Sequence, residues 1–496
     1  SEQLFWDGEP KNPIWRFNPG EGIWDRGGVN IINHHVSKTR YAMQPKAGSL
    51  KKEPIRALAG DVVFLLKAAL NSSVSEFPEM SRDLIPFKNG ILNWKTKDFR
   101  KYKASDYATY KLPVNYNPTA ECDWVDGLFH DWVDDDQIPL LYEVIGLCLI
   151  RDMPVQKAFF LHGTGQNGKG MYLHVVSSLF SNECISNMPP QRLGERFASA
   201  GLKNKHANIC ADISPEIMRD TSVFKQLTGG DWIHAEEKNG GFFSYLSYAT
   251  IVYSANKMPR SLDSTHGYIR RLKFIDFNKK IPESKQDNEL ARKIQDNTAE
   301  LEGVAYKALL SLWALKKRHW RLSNHKDASQ VRVENKRRSE PLIAFIDEVV
   351  KLGEDMDTTV DDFEDKYNRW ARVHGLEEFT KRVITKILKA KKVIKDSSVV
   401  SGRRVYAGFY IQDFVYHRAL KKMPPPAAVI DDVLTTDDEL DGPQNVSTAA
   451  TFKDYIEHLK QHNDKSFELS TFPPEIQKEL DDFEVRDGQI SWRWRK

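Results

Sequence analysis

Apolar runs separated by long polar connections mark the middle of the chain. Between residues 151 and 280, four such runs are rich in β-branched and aromatic residues, which favours buried strands. They are KAFFLH, HANICADI, YATIVYSAN and RRLKFIDF. Strands that alternate with longer helical connections are typical of an α/β sheet covered by helices. We therefore expect an α/β domain over residues 151–335.

The segments before this domain, residues 1–150, show patterns of short strands, turns and helices. Residues 1–80 combine a stretch rich in Trp, Gly and Pro, which indicates short strands and turns, with the amphipathic helix pattern of PIRALAGDVVFLLKAAL. They are interpreted as an α+β region. Residues 81–150 open with a strand–turn–strand pattern in which Asn89-Gly90 is the hairpin signal, and they end in helical segments around LLYEVIGLCLI. They are interpreted as a helical region that precedes the α/β domain.

The segments after the domain differ in composition. Residues 281–340 predict mostly helix. Residues 341–416 predict two or three helices and then two strands around a Ser-Gly turn, in VIKDSSVVSGRRVYAGFYI, which is the layout of a winged-helix domain. Residues 423–450 are proline-rich and then acidic with few aromatics, which favours a flexible linker. Residues 451–496 are left as a small C-terminal module.

Bulk composition narrows the class of protein only a little. The chain has 496 residues, 40% of them hydrophobic, and no run of about 18 apolar residues, so no membrane span is expected. The net charge of +3 is weak evidence alone, because local clustering decides affinity for phosphates. The four cysteines are scattered without a CxxC pair, so we expect neither a zinc site nor a disulfide framework, as fits a reducing cytoplasm.

The stretch FFLHGTGQNGKGMYLHVV, residues 159–176, has the layout of a phosphate-binding loop. Glycines let the backbone wrap so that N–H groups face the phosphates, and the following helix directs its positive end at them. Lys169 would reach the outer phosphates of a nucleotide. The ordinary alternative is a glycine-rich turn before any helix. The predicted nucleotide-binding residues are Gly163, Gly165, Gln166, Asn167, Gly168, Lys169 and Gly170.

Polar residues follow or precede the other predicted strands. Asp212 ends the ANICADI strand, where a metal-liganding carboxylate is needed, and Glu216, one helical turn away, is a second candidate acid. Asn256 ends the ATIVYSAN strand and could orient an attacking water. Arg270 and Arg271 precede a strand and could reach the phosphates bound by a neighbouring subunit. The ordinary alternatives are a helix N-cap, a turn residue and a surface basic pair.

Together these residues resemble the superfamily-3 helicases, in particular the poxvirus-type and phage or plasmid primase-helicase branch. The resemblance covers residues 80–412. Five blocks in the same order and spacing are GTGQNGKG, NICADIS, FKQLTGGDWIHAEEK, VYSANKMP and DSTHGYIRRLKFIDF. The resemblance implies an AAA+-like P-loop ATPase fold and a hexameric ring that hydrolyses ATP at subunit interfaces and pulls one DNA strand through its centre.

By match to the motifs, the resemblance also implies roles for single residues. Lys169 is the phosphate lysine, Asp212 the acid on the side of the Mg²⁺ ion, and Asn256 the sensor. Arg270 or Arg271 is the arginine finger.

Two departures from the family pattern bear on the chemistry. Gly170 stands where the superfamily more often has Ser or Thr, and Asp212 is followed by Ile213 and Ser214 and not by a second acid. Magnesium would then keep an extra water or take Ser214 as a neighbour. A working ATPase is favoured, because the phosphate lysine, the first acid, the sensor and the arginines are all present. A slow or binding-only motor is the alternative.

Basic residues elsewhere suggest contacts with DNA. Lys238 falls in the block that the family uses for DNA contact, within a predicted hairpin that turns at Asn239-Gly240. The helix TKRVITKILKAKKVI has an apolar stripe and a basic face, and SGRR follows at the tip of the predicted wing. Such a surface would bind phosphates without reading sequence, although charge runs are usually solvated faces. The predicted DNA-binding residues here are Lys381, Arg382, Lys386, Lys389, Arg403 and Arg404.

The sequence therefore predicts an ATP-driven DNA helicase of a virus, phage or integrated mobile element, which acts with ATP and Mg²⁺ on single-stranded or forked DNA. The alternative is an ATP-binding, DNA-binding ring or loader with little unwinding. A P-loop enzyme on a small substrate is disfavoured by the basic helix and the arginine pair. We expect a homo-oligomer, a cytoplasmic location in a prokaryotic host or at a viral replication site, no membrane contact, and a tail that could bind a replication partner. No spaced carboxylate pair for two metals is evident, so priming is not expected of this chain.

Overall fold

The computed structural model divides into two units, residues 1–416 and 417–496. It describes residues 3–6, 14–34, 62–63, 77–238, 240–391, 393, 398–400, 403–411, 483–486 and 489–492. Several predicted features therefore lie outside the described residues. These are the linker at 423–450, most of the C-terminal module, and the helix at 54–70 except for Val62 and Val63, which are helical.

Strands and helices are numbered in chain order. The strands are β1 Gln3–Phe5, β2 Trp15–Asn18, β3 Ile23–Asp25, β4 Leu84–Phe87, β5 Gly90–Asn93, β6 Phe99–Arg100, β7 Ala158–His162, β8 Ile185–Ser186, β9 Ala207–Cys210, β10 Trp232–Glu236, β11 Phe242–Leu246, β12 Thr250–Ala255, β13 Leu272–Asp276, β14 Val350–Thr359, β15 Ser398–Val400, β16 Arg403–Ile411, β17 Phe483–Arg486 and β18 Gln489–Trp492. The helices are α1 Asp123–Trp132, α2 Ile138–Leu149, α3 Lys169–Ser178, α4 Ser222–Gly229, α5 His266–Ile269, α6 Leu290–Asp296, α7 Thr298–Lys317, α8 Ala328–Ser339, α9 Pro341–Val349, α10 Val360–Val373 and α11 Lys381–Ala390.

The predicted α/β core is confirmed. Five strands form one parallel sheet in the order β13-β7-β12-β9-β8. Four of them are the apolar runs of the sequence, and all residues of β7, β9 and β12 are buried, as expected of a parallel sheet covered on both faces. The fifth strand, β8, has only two residues and carries no periodic signal, so the sequence pattern missed it.

Helices α2 and α7 join the region before the sheet to the region after it. Nearly every residue of α2 is buried, so this helix runs through the core. Its Gly146 lies against the α7 backbone, because a Cβ there would come 2.6 Å from the carbonyl oxygen of Ala308. The carboxylate of Glu143 is also buried and accepts hydrogen bonds from Arg318, just after α7, and from Ser323. The region before the sheet is thus built into the same core.

The predicted hairpin near residue 89 forms, but its turn lies one residue earlier. Phe87 pairs with Gly90, so Lys88 and Asn89 make the turn and Gly90 begins β5. The glycine is needed for packing, because a Cβ at Gly90 would lie 2.6 Å from the carbonyl oxygen of Arg100 on β6. The region 81–150 therefore contains a three-stranded antiparallel sheet before its helices.

Residues 341–411 form helices and an antiparallel sheet in the order β14-β16-β15. The strand β14 was not predicted. In the apolar stripe of α11, Ile384 and Leu388 are fully buried, whereas Val383 is exposed, so the stripe is narrower than predicted. The winged-helix assignment stays a prediction. In the second unit, β17 and β18 pair as an antiparallel hairpin.

Candidate nucleotide site and nucleic-acid surfaces

The loop between β7 and α3 has the backbone of an anion-binding turn. It spans residues 163–168, and α3 begins at Lys169. Gly165 and Gly168 have φ angles of 103° and 84°, and Gln166 between them has a φ of 51°. These left-handed conformations turn the chain back so that successive N–H groups face one side. The predicted glycine-rich turn between a strand and a helix is therefore present, and its phosphate-binding role stays a prediction.

The loop is held from below by the segment after β13. The Nδ2 group of Asn167 donates to the carbonyl oxygen of Phe277 at 2.7 Å, and the N–H of Ile281 donates to the carbonyl oxygen of Gln166 at 2.9 Å. A Cβ at Gly163 would overlap the Asn167 amide and come 2.5 Å from the Phe277 oxygen. Gly163 is therefore required by close packing.

Helix α1 contacts the loop from another side. The indole of Trp132, the last residue of α1, lies where a Cβ of Gly168 would be, so only glycine fits at this position. Lys279, after β13, donates to the carbonyl oxygen of His130 in the last turn of α1 at 2.8 Å. Sequence reasoning did not place these residues in the site. The sequence signal for His130 and Trp132 was GLFHDWV, residues 127–133, which lies in the region interpreted as preceding the α/β domain.

The ammonium group of Lys169 is pre-positioned inside the loop. It is buried and donates to the carbonyl oxygen of Gly163 at 2.8 Å and to Oδ1 of Asn167 at 2.9 Å. Burial lowers the pKa of Lys169 to about 8, and the charge of Asp212 acts in the opposite direction. The lysine is therefore aimed at the loop interior and lies close enough to Asp212 to sense its charge.

The candidate acids follow β9 on an irregular segment. Asp212 lies two residues beyond β9, is exposed, and has a φ of 61°. The next residue, Ile213, donates its N–H to the carbonyl oxygen of Ser254 at 2.9 Å, which ties the segment to the end of β12. Glu216 is also exposed, but no helix connects it to Asp212, because α4 begins only at Ser222. The expectation of one helical turn between the two acids was wrong; whether Glu216 is a second acid stays a prediction.

Asn256 comes directly after β12, the strand beside β7. Ala255 pairs with His162, so the exposed Asn256 follows at the same edge of the sheet as Gly163. At the other end of the loop, Gly170 is exposed, and a Cβ built on it meets nothing within 4 Å. The structure therefore has space for a serine or threonine side chain at position 170.

The residues at this edge fit a magnesium ion held partly by phosphates. Among the described residues, no three His, Cys, Asp or Glu side chains converge as they would around an ion bound by protein alone. Mg²⁺ in phosphate sites commonly takes one or two carboxylates and fills its shell with phosphate oxygens and water. Asp212, exposed next to the Lys169 loop, is the described carboxylate that fits this role. Beside the loop lies an open cleft of about 480 Å³, lined by Gln166, Lys280, Ile281, Pro282 and Glu283.

A buried ionic network lies under the loop. His162, the last residue of β7, has its Nδ1 atom 3.7 Å from Asp276, the last residue of β13. Arg338 of α8 donates twice to Asp276, at 2.7 and 2.8 Å. Burial alone would raise the pKa of Asp276, but Arg338 and His162 together hold it well below its usual range. The network ties the sheet edge that bears the loop to α8, and no local sequence pattern predicts it.

The arginine pair lies at the opposite edge of the sheet. Leu272 pairs with Ala158 and Asp276 with His162, so Arg270 and Arg271 precede the far end of β13, about 15 Å from the loop at roughly 3.3 Å per residue. The Nη1 group of Arg270 donates to Oε1 of Gln156 at 3.0 Å.

The two arginines differ in accessibility. Arg270 is half-buried, whereas Arg271 is only 9% exposed and donates to the carbonyl oxygen of Gly267. Of the two, Arg270 is the one placed to reach outward.

The predicted hairpin near Lys238 forms from β10 and β11. Glu236 pairs with Phe242, so the turn covers residues 237–241 and is wider than the predicted Asn239-Gly240 turn, of which Asn239 lies outside the described residues. Lys238 is exposed in this turn. One face of the hairpin is solvent-exposed and bears Trp232 and Phe242, which are 64% and 70% exposed.

The basic face of α11 is exposed but partly paired. Lys381 contacts Asp361 of α10 at 2.8 Å. The side chains of Arg382, Lys386 and Lys389 are exposed, and Arg404 on β16 is exposed as well. Nothing is described of the side chain of Arg403. The structure therefore brings most of these cations to one domain but not to the nucleotide loop.

Comparison with known proteins gives two family matches and a viral relative. Residues 2–137 match a family model described as D5 N terminal like, and residues 161–271 match a family of unknown function, DUF5906. The chain is 23% identical over 243 residues to the putative helicase 121R of Invertebrate iridescent virus 3. The chain is thus similar to proteins with a D5-like N-terminal part and to a viral putative helicase. The match to 121R covers 44% of this chain and 26% of that protein, so the chain spans about a quarter of that relative.

Solved structures similar to this chain include the A form apo structure of the NrS-1 C-terminal region, at 12% identity and a TM-score of 0.39, covering 82% of this chain and 96% of that one. A JCV helicase structure matches at 15% identity and a TM-score of 0.24, covering 42% of this chain and 62% of that one.

None of the helices in the described part of the chain is long and apolar enough to cross a membrane.

Proposed function

We propose that this protein is an ATP-driven DNA helicase that forms a ring and moves along single-stranded DNA during replication of a phage, virus or mobile element. The observation that supports it most is the state of Lys169. A buried ammonium group, held by Gly163 and Asn167 at the mouth of a left-handed loop, is suited to a ligand that supplies concentrated negative charge. The triphosphate of ATP has that property.

Each residue at the loop edge then has a distinct task. The loop N–H groups and Lys169 bind and orient the outer phosphates. Asp212 would hold Mg²⁺, which supplies neutralisation of the charge that develops on the phosphates. Asn256, at the end of the neighbouring strand, would hold the attacking water in line. The cleft beside Gln166 is open to receive the rest of the nucleotide.

The location of Arg270 requires a second copy of the chain. It lies at the sheet edge opposite its own loop, so it would act on the nucleotide of a neighbouring subunit as an arginine finger. A closed ring, with a hexamer as the expected form, satisfies every such interface at once. DNA would be contacted by Lys238 on the hairpin and by the basic face of the proposed winged-helix domain, residues 341–416.

Steady-state ATP hydrolysis with and without single-stranded DNA tests the proposal. We expect turnover that DNA stimulates and that Lys169→Ala reduces by about 100-fold or more, since it removes a contact made to the transferred phosphate. Turnover that ignores DNA, or that survives Lys169→Ala, would refute a DNA-driven motor at this loop.

Mixing two inactive variants tests the shared site. Lys169→Ala lacks the phosphate lysine and Arg270→Ala lacks the finger, and each alone should be inactive. In a mixed ring, some interfaces join an intact loop to an intact Arg270, so activity should return on mixing. Absence of recovery, with mixed assembly shown by light scattering, would contradict the trans role of Arg270.

A DNA-binding ring or loader with little unwinding is the second candidate, and Gly170 is the observation that favours it. Without a hydroxyl at this position, the metal has one protein oxygen fewer than in typical loops. Strand separation of a forked duplex by the wild-type chain distinguishes the two candidates. ATP-dependent binding without strand separation would favour the loader.

A further inference from the structure

Gln156 lies in a turn just before β7 and bonds to two elements that the sequence separates widely. Its Oε1 atom accepts from Nη1 of Arg270 at 3.0 Å, and its Nε2 group donates to the carbonyl oxygen of Gly229 at 3.2 Å. An arginine can only donate and a carbonyl can only accept, so these partners fix the orientation of the amide. Both ends of one planar group are therefore engaged.

Gly229 is the last residue of α4, and the hairpin strand β10 starts three residues later, at Trp232. The carbonyl that Gln156 binds belongs to the end of a helix, where such groups lack intrahelical partners. Arg271 lies against the same place, because a Cβ on Gly229 would come 3.3 Å from its guanidinium. The base of the hairpin and the arginine pair thus share one contact region.

The backbone of Gln156 adds a second observation. Its φ angle is 51°, a left-handed conformation that a residue with a side chain adopts at a cost and that glycine adopts freely. The strain persists at a position where the side chain makes two hydrogen bonds. Substitution by glycine would remove the backbone strain together with both hydrogen bonds. A loss of activity in that variant could then be distinguished from a loss of folding stability.

We propose that Gln156 is a positioning residue that couples the DNA-contacting hairpin to the arginine finger. This inference depends on the proposed function, in which Lys238 of the hairpin meets DNA and Arg270 meets the neighbouring nucleotide. Movement of the hairpin base shifts the Gly229 carbonyl. The rigid amide of Gln156 transmits that shift to Arg270, whose approach to the phosphates then depends on whether DNA engages the hairpin.

Two variants of Gln156 test its two hydrogen bonds separately. Gln156→Gly deletes both bonds and relieves the strain. Gln156→Glu still accepts from Arg270, more strongly because the carboxylate is charged, but it has no donor for the Gly229 carbonyl. Asn204→Gly is the matched control, because Asn204 also has a left-handed φ of 60°, is exposed, and makes neither of the two hydrogen bonds of Gln156.

The measurements are ATP turnover with and without single-stranded DNA, the KM for ATP, DNA affinity, and the melting temperature, all on the full chain. We expect Gln156→Gly to melt at or above the wild-type temperature and to lose about tenfold or more in DNA-stimulated turnover, since a small displacement of a catalytic group has that effect. The KM and the DNA affinity should stay within about twofold of wild type, because the loop and hairpin surfaces are intact. In Gln156→Glu, the ratio of stimulated to basal turnover should fall toward one.

The outcomes separate this inference from the proposed function. Wild-type stimulation that persists in both Gln156 variants overturns the linkage and leaves the helicase proposal standing. A wild-type chain without DNA-stimulated turnover overturns both. If Asn204→Gly also loses the stimulation of ATP turnover by DNA, the effect comes from placing glycine at any left-handed position, and the linkage is overturned.

Discussion

The protonation of Lys169 gives the candidate site a pH dependence that can be worked from the structure. Burial lowers the pKa of this lysine to about 8, while the nearby Asp212 acts against that shift. The protonated lysine is the form that attracts phosphate. Raising the pH through 8 removes that proton, so ATP affinity should decrease as the pH rises.

The size of the effect follows from the fraction of lysine that is protonated. With a pKa of about 8, roughly three quarters is protonated at pH 7.5 and roughly one tenth at pH 9. The Kd for ATP should therefore rise about eightfold over this interval. A lysine with an ordinary pKa near 10.4 would stay protonated throughout and would give almost no change.

Equilibrium binding of a fluorescent ATP analogue at fixed free Mg²⁺ between pH 7.5 and 9 measures the slope. Lys169→Met is the control, because it keeps most of the side-chain volume and cannot titrate, so its weaker binding should be independent of pH. A flat profile in the wild type, or an equal slope in Lys169→Met, would show that this lysine does not set the affinity.

Four substitutions at three positions test the loop and the ion pair beside it. A side chain at Gly170 meets nothing within 4 Å, so Gly170→Ala and Gly170→Ser should both fold, and Ser should lower the Mg²⁺ needed for half-maximal turnover by about fivefold relative to Ala. Gly168→Ala combines a φ of 84° with overlap on Trp132 and should reduce the free energy of unfolding by about 2–5 kcal/mol, measured by denaturant titration. Asp276→Ala removes two hydrogen bonds from the buried Arg338, which keeps Glu334 at 3.7 Å, and should reduce the free energy of unfolding by about 2–3 kcal/mol in the same assay.

The parts of this fold that the sequence predicted are those with local causes. Buried strands of a parallel sheet need continuous apolar runs, and β7, β9, β12 and β13 all have them. The glycine-rich loop was predictable because its residues are consecutive in the chain. The two-residue β8 has too short a pattern, and β14 was missed because the short V-K-L alternation at its start is followed by a glycine and three acidic residues.

The parts that were missed depend on contacts between distant residues. Trp132 lies 37 residues before Lys169 and Arg338 lies 169 residues after it, and no local pattern predicts that both contact the loop region. The helical turn expected between Asp212 and Glu216 failed for a reason present in the sequence. Pro215 disfavours helix at the residue before it, and Asp212 itself adopts a left-handed conformation.

The groups proposed to act on one nucleotide lie at opposite edges of the central sheet. In a parallel sheet, every strand delivers its C-terminal residues to one edge, and there the chain has the loop, Asp212 and Asn256. Residues that precede strands collect at the other edge, where Gln156 and Arg270 contact each other. A parallel sheet of this length cannot bring its own two edges together. Under the proposed function, chemistry that needs both sets of groups needs two copies of the chain, and a signal from the hairpin that passes through Gln156 reaches the nucleotide of the neighbouring subunit.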